Sequence, residues 1–274
     1  MKKVIAGFVA LNALIAAPAL AADMPVKAVP QEPAAFTYNW TGLYLGLNAG
    51  YSWSSATTTT TTACEPVGYY CTIGGPAGLL NLPAISADGS GAFHSNAFTG
   101  GAQVGYNWQS NNLVLGVEGD IESYRLKVTT TVARPYPGNP GVTYVEGTGV
   151  STNWLSTWRI RAGWANDKVL LYATGGLALA DLSVSDTFSD NDAAGAVGGS
   201  ATTGLKAGWT AGGGLEYALS RNWSVRGEYL YVDLGSVSAT STVTNATFPG
   251  LTNPLSITGK VTANIARAAL NYRF

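Results

Sequence analysis

From Leu43 the chain alternates with a period of two. Leu43, Leu45, Leu47, Ala49, Tyr51 and Trp53 share one side; Tyr44, Gly46, Asn48, Gly50 and Ser52 share the other. One apolar face opposite a small or polar one is the pattern of a β-strand. The same split recurs over 98–108, 113–122, 154–164, 169–179, 209–217, 223–231 and 266–274. Eight strands of about ten residues or more result, each long enough to cross a bilayer when tilted. Helix signals are nearly absent after residue 21.

The connections alternate in length. Ser110-Asn111-Asn112, Asn166-Asp167-Lys168 and Ser220-Arg221-Asn222 mark three tight polar turns, between strands two and three, four and five, and six and seven. The other four connections are long and rich in Thr, Ser, Gly and Pro, so they are expected as structureless loops. The Thr57–Thr62 run reads as one of these solvated loops. Short turns on one side and long loops on the other predict an all-β fold: an antiparallel eight-stranded transmembrane barrel with periplasmic turns and external loops. An even number of strands puts both ends of the barrel chain on the periplasmic side.

Aromatic residues fit this map. Trp108, Trp164, Tyr217, Trp223 and Tyr272 fall near the short turns, and Trp53, Phe98, Trp154, Trp209 and Tyr231 near the long loops. All ten lie on the apolar face, which predicts two interfacial belts at the water–lipid boundaries.

The N-terminal stretch changes the picture of where the chain goes. Lys2 and Lys3 precede an apolar run over 4–17, and Ala19-Leu20-Ala21 offers a small-x-small cleavage site. Residues 1–21 are expected to be a secretory signal peptide cut after Ala21, with Ala22 the alternative. The run is too short for a spanning helix. Residues 22–38, with Pro25, Pro30 and Pro33, are expected to be an extended periplasmic segment, leaving 39–274 as the barrel. Export through the general secretory pathway to the outer membrane of a Gram-negative cell follows.

Composition agrees. Only 11% of residues are charged, while Tyr (14) and Trp (8) are plentiful. Soluble domains carry about a quarter charged residues. Of the 15 basic side chains, loss of Lys2 and Lys3 leaves 13 against 16 acidic ones, a net charge of about −3 that gives no support to nucleic-acid binding.

Most strand charges fall on the lumen face. The acids are Glu118, Asp120, Glu122, Glu216 and Glu228; the bases are Arg159, Arg161, Arg226, Arg267 and Arg273. Glu118, Asp120 and Glu122 on strand three are expected to face Arg159 and Arg161 on strand four. Five acids against five bases make a neutralised set, unlike the one-sign rings that select ions. An interior of eight strands is just wide enough for side chains to fill, so a plugged polar core is expected. A narrow pore with Glu118, Arg159 and Arg161 at its constriction is the alternative.

The strand sequences carry a resemblance. Trp40-Thr41-Gly42-Leu43-Tyr44 with Gly46, Gly50 and Tyr51, Leu171-Tyr172-Ala173-Thr174-Gly175-Gly176 and Gly212-Gly213-Gly214-Leu215-Glu216-Tyr217 resemble the alphaproteobacterial outer-membrane immunogenic proteins. So do Glu228-Tyr229-Leu230-Tyr231-Val232-Asp233-Leu234-Gly235 and the Asn271-Tyr272-Arg273-Phe274 end. These are porin-family barrels similar in architecture to the OmpA membrane domain. The resemblance fails in the loops and brings no catalytic motif. It implies envelope integrity and surface exposure, with haem binding or small-solute passage for some relatives. Tyr272 and Phe274, two apart on one face, resemble the signal read by the barrel-assembly machinery.

Little else carries chemistry. Cys64 and Cys71 are the only cysteines, and an oxidising compartment predicts a local disulfide between them. His94 is the only histidine and is expected at the surface, since zinc chemistry wants three or four ligands. Gly212-Gly213-Gly214 precedes a strand and so makes no phosphate loop. No enzyme activity, metal or cofactor is expected. The expected partners are outer-membrane lipid and lipopolysaccharide, the assembly machinery and periplasmic chaperones, and a second copy of the chain.

Overall fold

The computed structural model describes residues 38–64, 68, 70, 75–192 and 195–274. The expected signal peptide with its Ala21 site, nearly all of the Pro-rich segment, and Cys71 lie outside them. Within them run eight strands and one helix: β1 (Gly42–Thr62), α1 (Gly75–Asp88), β2 (Gly91–Ser110), β3 (Leu113–Tyr136), β4 (Asn139–Asn166), β5 (Val169–Asp190), β6 (Ala196–Ala218), β7 (Trp223–Asn245) and β8 (Asn253–Arg273). Each strand pairs antiparallel with the next, and β1 closes the ring on β8 from Tyr44↔Arg273 to Thr62↔Leu255. No described helix is long and apolar enough to cross a membrane.

The periplasmic turns are as short as their residues require. Asn111 (φ 53°) and Asp167 (φ 50°) adopt the left-handed conformation that two-residue hairpins need and that Asn and Asp tolerate.

Three of the four stretches read as long external loops are largely strand among the described residues, and the first, between β1 and β2, carries a helix. The strands run from 20 to 28 residues, about twice what a bilayer needs. β3 and β4 are joined at Pro137-Gly138 and β7 and β8 over 246–252, while β5 ends at Asp190 and β6 begins at Ala196. Thr57–Thr62 belongs to β1, with Thr58 and Thr60 buried inside. Polar composition misled here: Thr is β-branched and suits a strand whose outer face meets water. The helix α1, unforeseen in the sequence, fills the mouth, with Ile85 buried and Leu79 and Leu80 outside.

The interior changes character along the barrel. Toward the periplasm, outward positions are apolar and open, as at Leu47 (70%) and Ile160 (71%), while inward ones are polar and buried. Above the upper aromatic belt the rule inverts. In β5, Ser183, Ser185 and Thr187 face out, while Leu182 and Val184 are fully buried inside. They join Leu155, Leu230, Val232, Ile257, Val261 and Ile265 in one dry aliphatic layer. Where the outside is lipid, either face can be apolar at little cost. Where it is water, burial of apolar surface must be inward. The inversion therefore marks the bilayer edge, and the upper half of the barrel stands beyond it.

Two irregularities follow the same boundary. Gly235 (φ 69°) forms a bulge in β7, its N–H donating to Asp233 Oδ1 (2.8 Å), and inward positions pass from Leu234 to Val237. The β6–β7 ladder also stops between Trp209↔Asp233 and Val197↔Thr244, while β6 stays paired to β5 and β7 to β8.

Candidate functional site

The lumen below the aliphatic layer holds the densest chemistry. Three opposite-charge pairs are direct cross-strand partners: Glu118↔Arg159, Glu216↔Arg226 and Glu228↔Arg267. Period-two alternation puts each pair on the inner face, and the ring joins them across the lumen. Glu118 is the hub. It pairs with Arg159 and, at 2.6 Å, with Arg226, and accepts from the Tyr44 hydroxyl (2.5 Å). Arg159 also meets Asp120 (2.8 Å) and Glu228 (3.1 Å). Arg267 bridges Asp120 (2.8 Å), Glu122 (3.3 Å) and Glu228 (2.7 Å).

Arg161 bonds Glu216 (2.9 Å) on β6, two strands round the ring, rather than the β3 acids, with only a 4.0 Å approach to Glu118. All these side chains are at most 5% exposed. Amides extend the web: Asn48 Nδ2 donates to Gln103 Oε1, Gln103 Nε2 to Asn271 Oδ1, and Asn271 Nδ2 to Glu216. Arg161 lies 4.1 Å over the Tyr172 ring, and the Tyr172 hydroxyl donates to Glu228.

Arg273 is a correction. It makes no ion pair with the network; its guanidinium stacks on Tyr38 (4.3 Å) and donates to the Arg221 carbonyl (2.7 Å). The network is thus five acids against four arginines. The reason is position: Arg273 is the last strand residue, at the rim, where Tyr38 and Trp40 cover the periplasmic end. Trp40 is 1% exposed, its N–H donating to Gln109 Oε1 and its Nε1 to the Asp167 carbonyl.

The aromatic residues face outward. Trp53 and Phe98 both meet Tyr51 near the upper boundary, and Trp209 meets Tyr231 (5.3 Å). Near the lower boundary Tyr272 lies between Trp223 and Phe274 (5.1 Å each), and Trp108, Trp164 and Tyr217 are exposed. Trp154 is half-buried beside the register shift at Ser151/Leu155. His94 is exposed on β2. The Cys64–Cys71 pairing lies outside the described residues on its Cys71 side.

Three features of the interior escaped the sequence reading. Tyr44 and Tyr172 alternate with the lumen charges and could have been placed by parity. The Tyr38–Trp40 cover has no periodic signal. Glu146 and Asp186, in stretches read as loop, are each 1% exposed inside the extracellular half. Three of their four carboxylate oxygens, both of Glu146 and Oδ1 of Asp186, meet no donor outside the pair, and the two carboxyl groups lie within hydrogen-bond reach of each other. Burial, then the neighbouring Asp186 charge, push Glu146 up to about 9, and burial raises Asp186.

Comparison with known proteins agrees with this architecture. Residues 8–274 match the family model of the outer membrane protein beta-barrel domain. The chain is 33% identical, over all of both chains, to the 31 kDa outer-membrane immunogenic protein of Brucella melitensis. It is 32% identical to a 22 kDa outer membrane protein of Rhizobium leguminosarum, covering 59% of this chain and 63% of that one. Among solved structures, OprG of Pseudomonas aeruginosa is similar at 10% identity and a TM-score of 0.42, covering 86% and 98%. With the family model spanning nearly the whole chain, the protein belongs to the outer-membrane β-barrel family and resides in the cell outer membrane.

Proposed function

We propose that the protein is a structural, surface-exposed barrel that contributes to envelope integrity and conducts nothing through its lumen. The observation that carries this reading is the stacking of obstacles along one axis. Trp40 and Tyr38 cover the periplasmic end, the arginine–carboxylate web lies above them, and the aliphatic layer above that. Tyr70, Tyr136, Tyr144 and Phe188 close the mouth with α1. A solvated ion would have to break paired charges and then enter a dry layer, where an unpaired charge is costly.

Its partners in this reading are lipid and lipopolysaccharide around the apolar band, and chaperones and assembly machinery during insertion, with Tyr272 and Phe274 as the signal. The reading includes no enzymatic step. Solute uptake by proteoliposomes tests it: folded protein should leave swelling rates at the level of empty vesicles, and size-limited uptake would overturn it. Haem binding is the second reading, drawn from the family resemblance; a Soret titration with the exposed His94 replaced by Ala decides it.

A further inference from the structure

Every other buried carboxylate among the described residues meets an arginine, whereas Glu146 and Asp186 meet none. Their surroundings are oxygen. Thr58, Thr60 and Thr148 donate their hydroxyls to the Gly89 carbonyl, and Ser241 Oγ donates to Asp186 Oδ2 (3.3 Å). That carbonyl closes the C-terminal end of α1, whose partial negative charge adds to the two carboxylates. A Cβ at Gly89 would lie 2.7 Å from Glu146 Oε1 and 2.5 Å from Thr60 Oγ1, so the oxygens close directly on the backbone.

The charged groups nearby relieve nothing. Asp88 on α1 is itself acidic and is held by Arg134 (3.0 Å) and the Tyr144 hydroxyl (2.6 Å). Buried anions without a counter-charge are costly, and the Glu146 oxygens are buried with no donor in reach except a shared proton on the Asp186 carboxyl, so if both groups are charged a positive partner is missing.

We propose that Glu146 and Asp186 bind a hard divalent cation of calcium's class inside the extracellular half of the barrel. Carboxylate, hydroxyl and carbonyl oxygens with no nitrogen or sulfur are the donor set such cations take, and they exclude softer metals. Asp186 pairs across the sheet with Ser200, within the stretch where the β6–β7 ladder is interrupted, and Ser200 Oγ has no partner there. The rival is a proton shared between the two carboxyl groups. The site is independent of whether the lumen below conducts.

The test uses the full chain refolded in detergent and stripped with a chelator. Calcium chloride is titrated at about pH 8 and about pH 6, reading heat and melting temperature. One saturable equivalent is expected, with an upward melting shift larger at the higher pH, because the cation displaces protons. Binding should fall at least tenfold in Asp186→Asn and vanish in Glu146→Gln/Asp186→Asn, which should fold without calcium because it buries no charge there. Absence of saturable binding by the wild-type chain at pH 8, or equal binding by the double variant, would overturn the proposal and leave the shared proton.

Discussion

Glu118 and Arg159 stand directly opposite each other on β3 and β4, and their side chains pair inside the barrel with almost no exposure. Because Arg159 also holds Asp120 and Glu228, removing it takes one of two arginine partners from three carboxylates at once, leaving Glu118 to Arg226 and the other two to Arg267. Arg159→Ala should cost about 3–5 kcal/mol. Arg273→Ala, which loses a ring contact and rim hydrogen bonds, should cost about 1 kcal/mol. Thermal unfolding in detergent, followed by heat-modifiable gel mobility, separates the two; equal losses would refute the rim assignment of Arg273.

Gly235 carries the parity switch of β7 in a left-handed conformation. Gly235→Ala should destabilise by about 1–2 kcal/mol, and Gly235→Asn by less, since Asn tolerates that region. Thermal melts of both variants check the order; Ala and Asn behaving alike would contradict the bulge.

Glu146 lies above the bilayer edge, so its ionisation shows in stability against pH. Its folded value of about 9 lies above its ordinary 4.5, so the folded protein binds more protons than the unfolded one between those values. Stability in chelator should therefore fall as pH rises from about 5 to about 9. The contribution is fully present below the unfolded value and lost above the folded one. Glu146→Gln should flatten the profile; a wild-type melt independent of pH would contradict the buried state.

How much was legible follows from what the outside of the barrel touches. In lipid, the apolar face of each strand is outward and continuous. Leu43 to Trp53 therefore announced a strand and a belt residue, Leu113 to Glu122 a strand with lumen charges, and Val169 to Leu179 a strand more weakly. Beyond the bilayer the apolar set moves to the other parity, as from Leu179 to Leu182 in β5 and from Ala266 to Ile265 in β8. Read without that inversion, Ser- and Thr-rich strand looks like loop. Glu146 and Asp186 disappeared with it, because a residue in a loop has no face. Glu216 as a partner for Arg161 was also hidden, since two strands apart in the ring is not a neighbour along the chain.

Cys64 and Cys71 are expected to be oxidised in the exported protein, as only one pairing is possible in an oxidising compartment. Intact mass after alkylation without reductant should show no added groups and two hydrogens fewer than the reduced chain. Two alkyl groups would show free thiols.

The central claim is that the lumen is closed, and single-channel recording in planar bilayers tests it most directly. Folded wild-type protein, its folding verified by heat-modifiable mobility, should insert without discrete openings. Reproducible unitary steps that change in size in Arg159→Ala would contradict the account and place a pore through the Glu118–Arg159 layer.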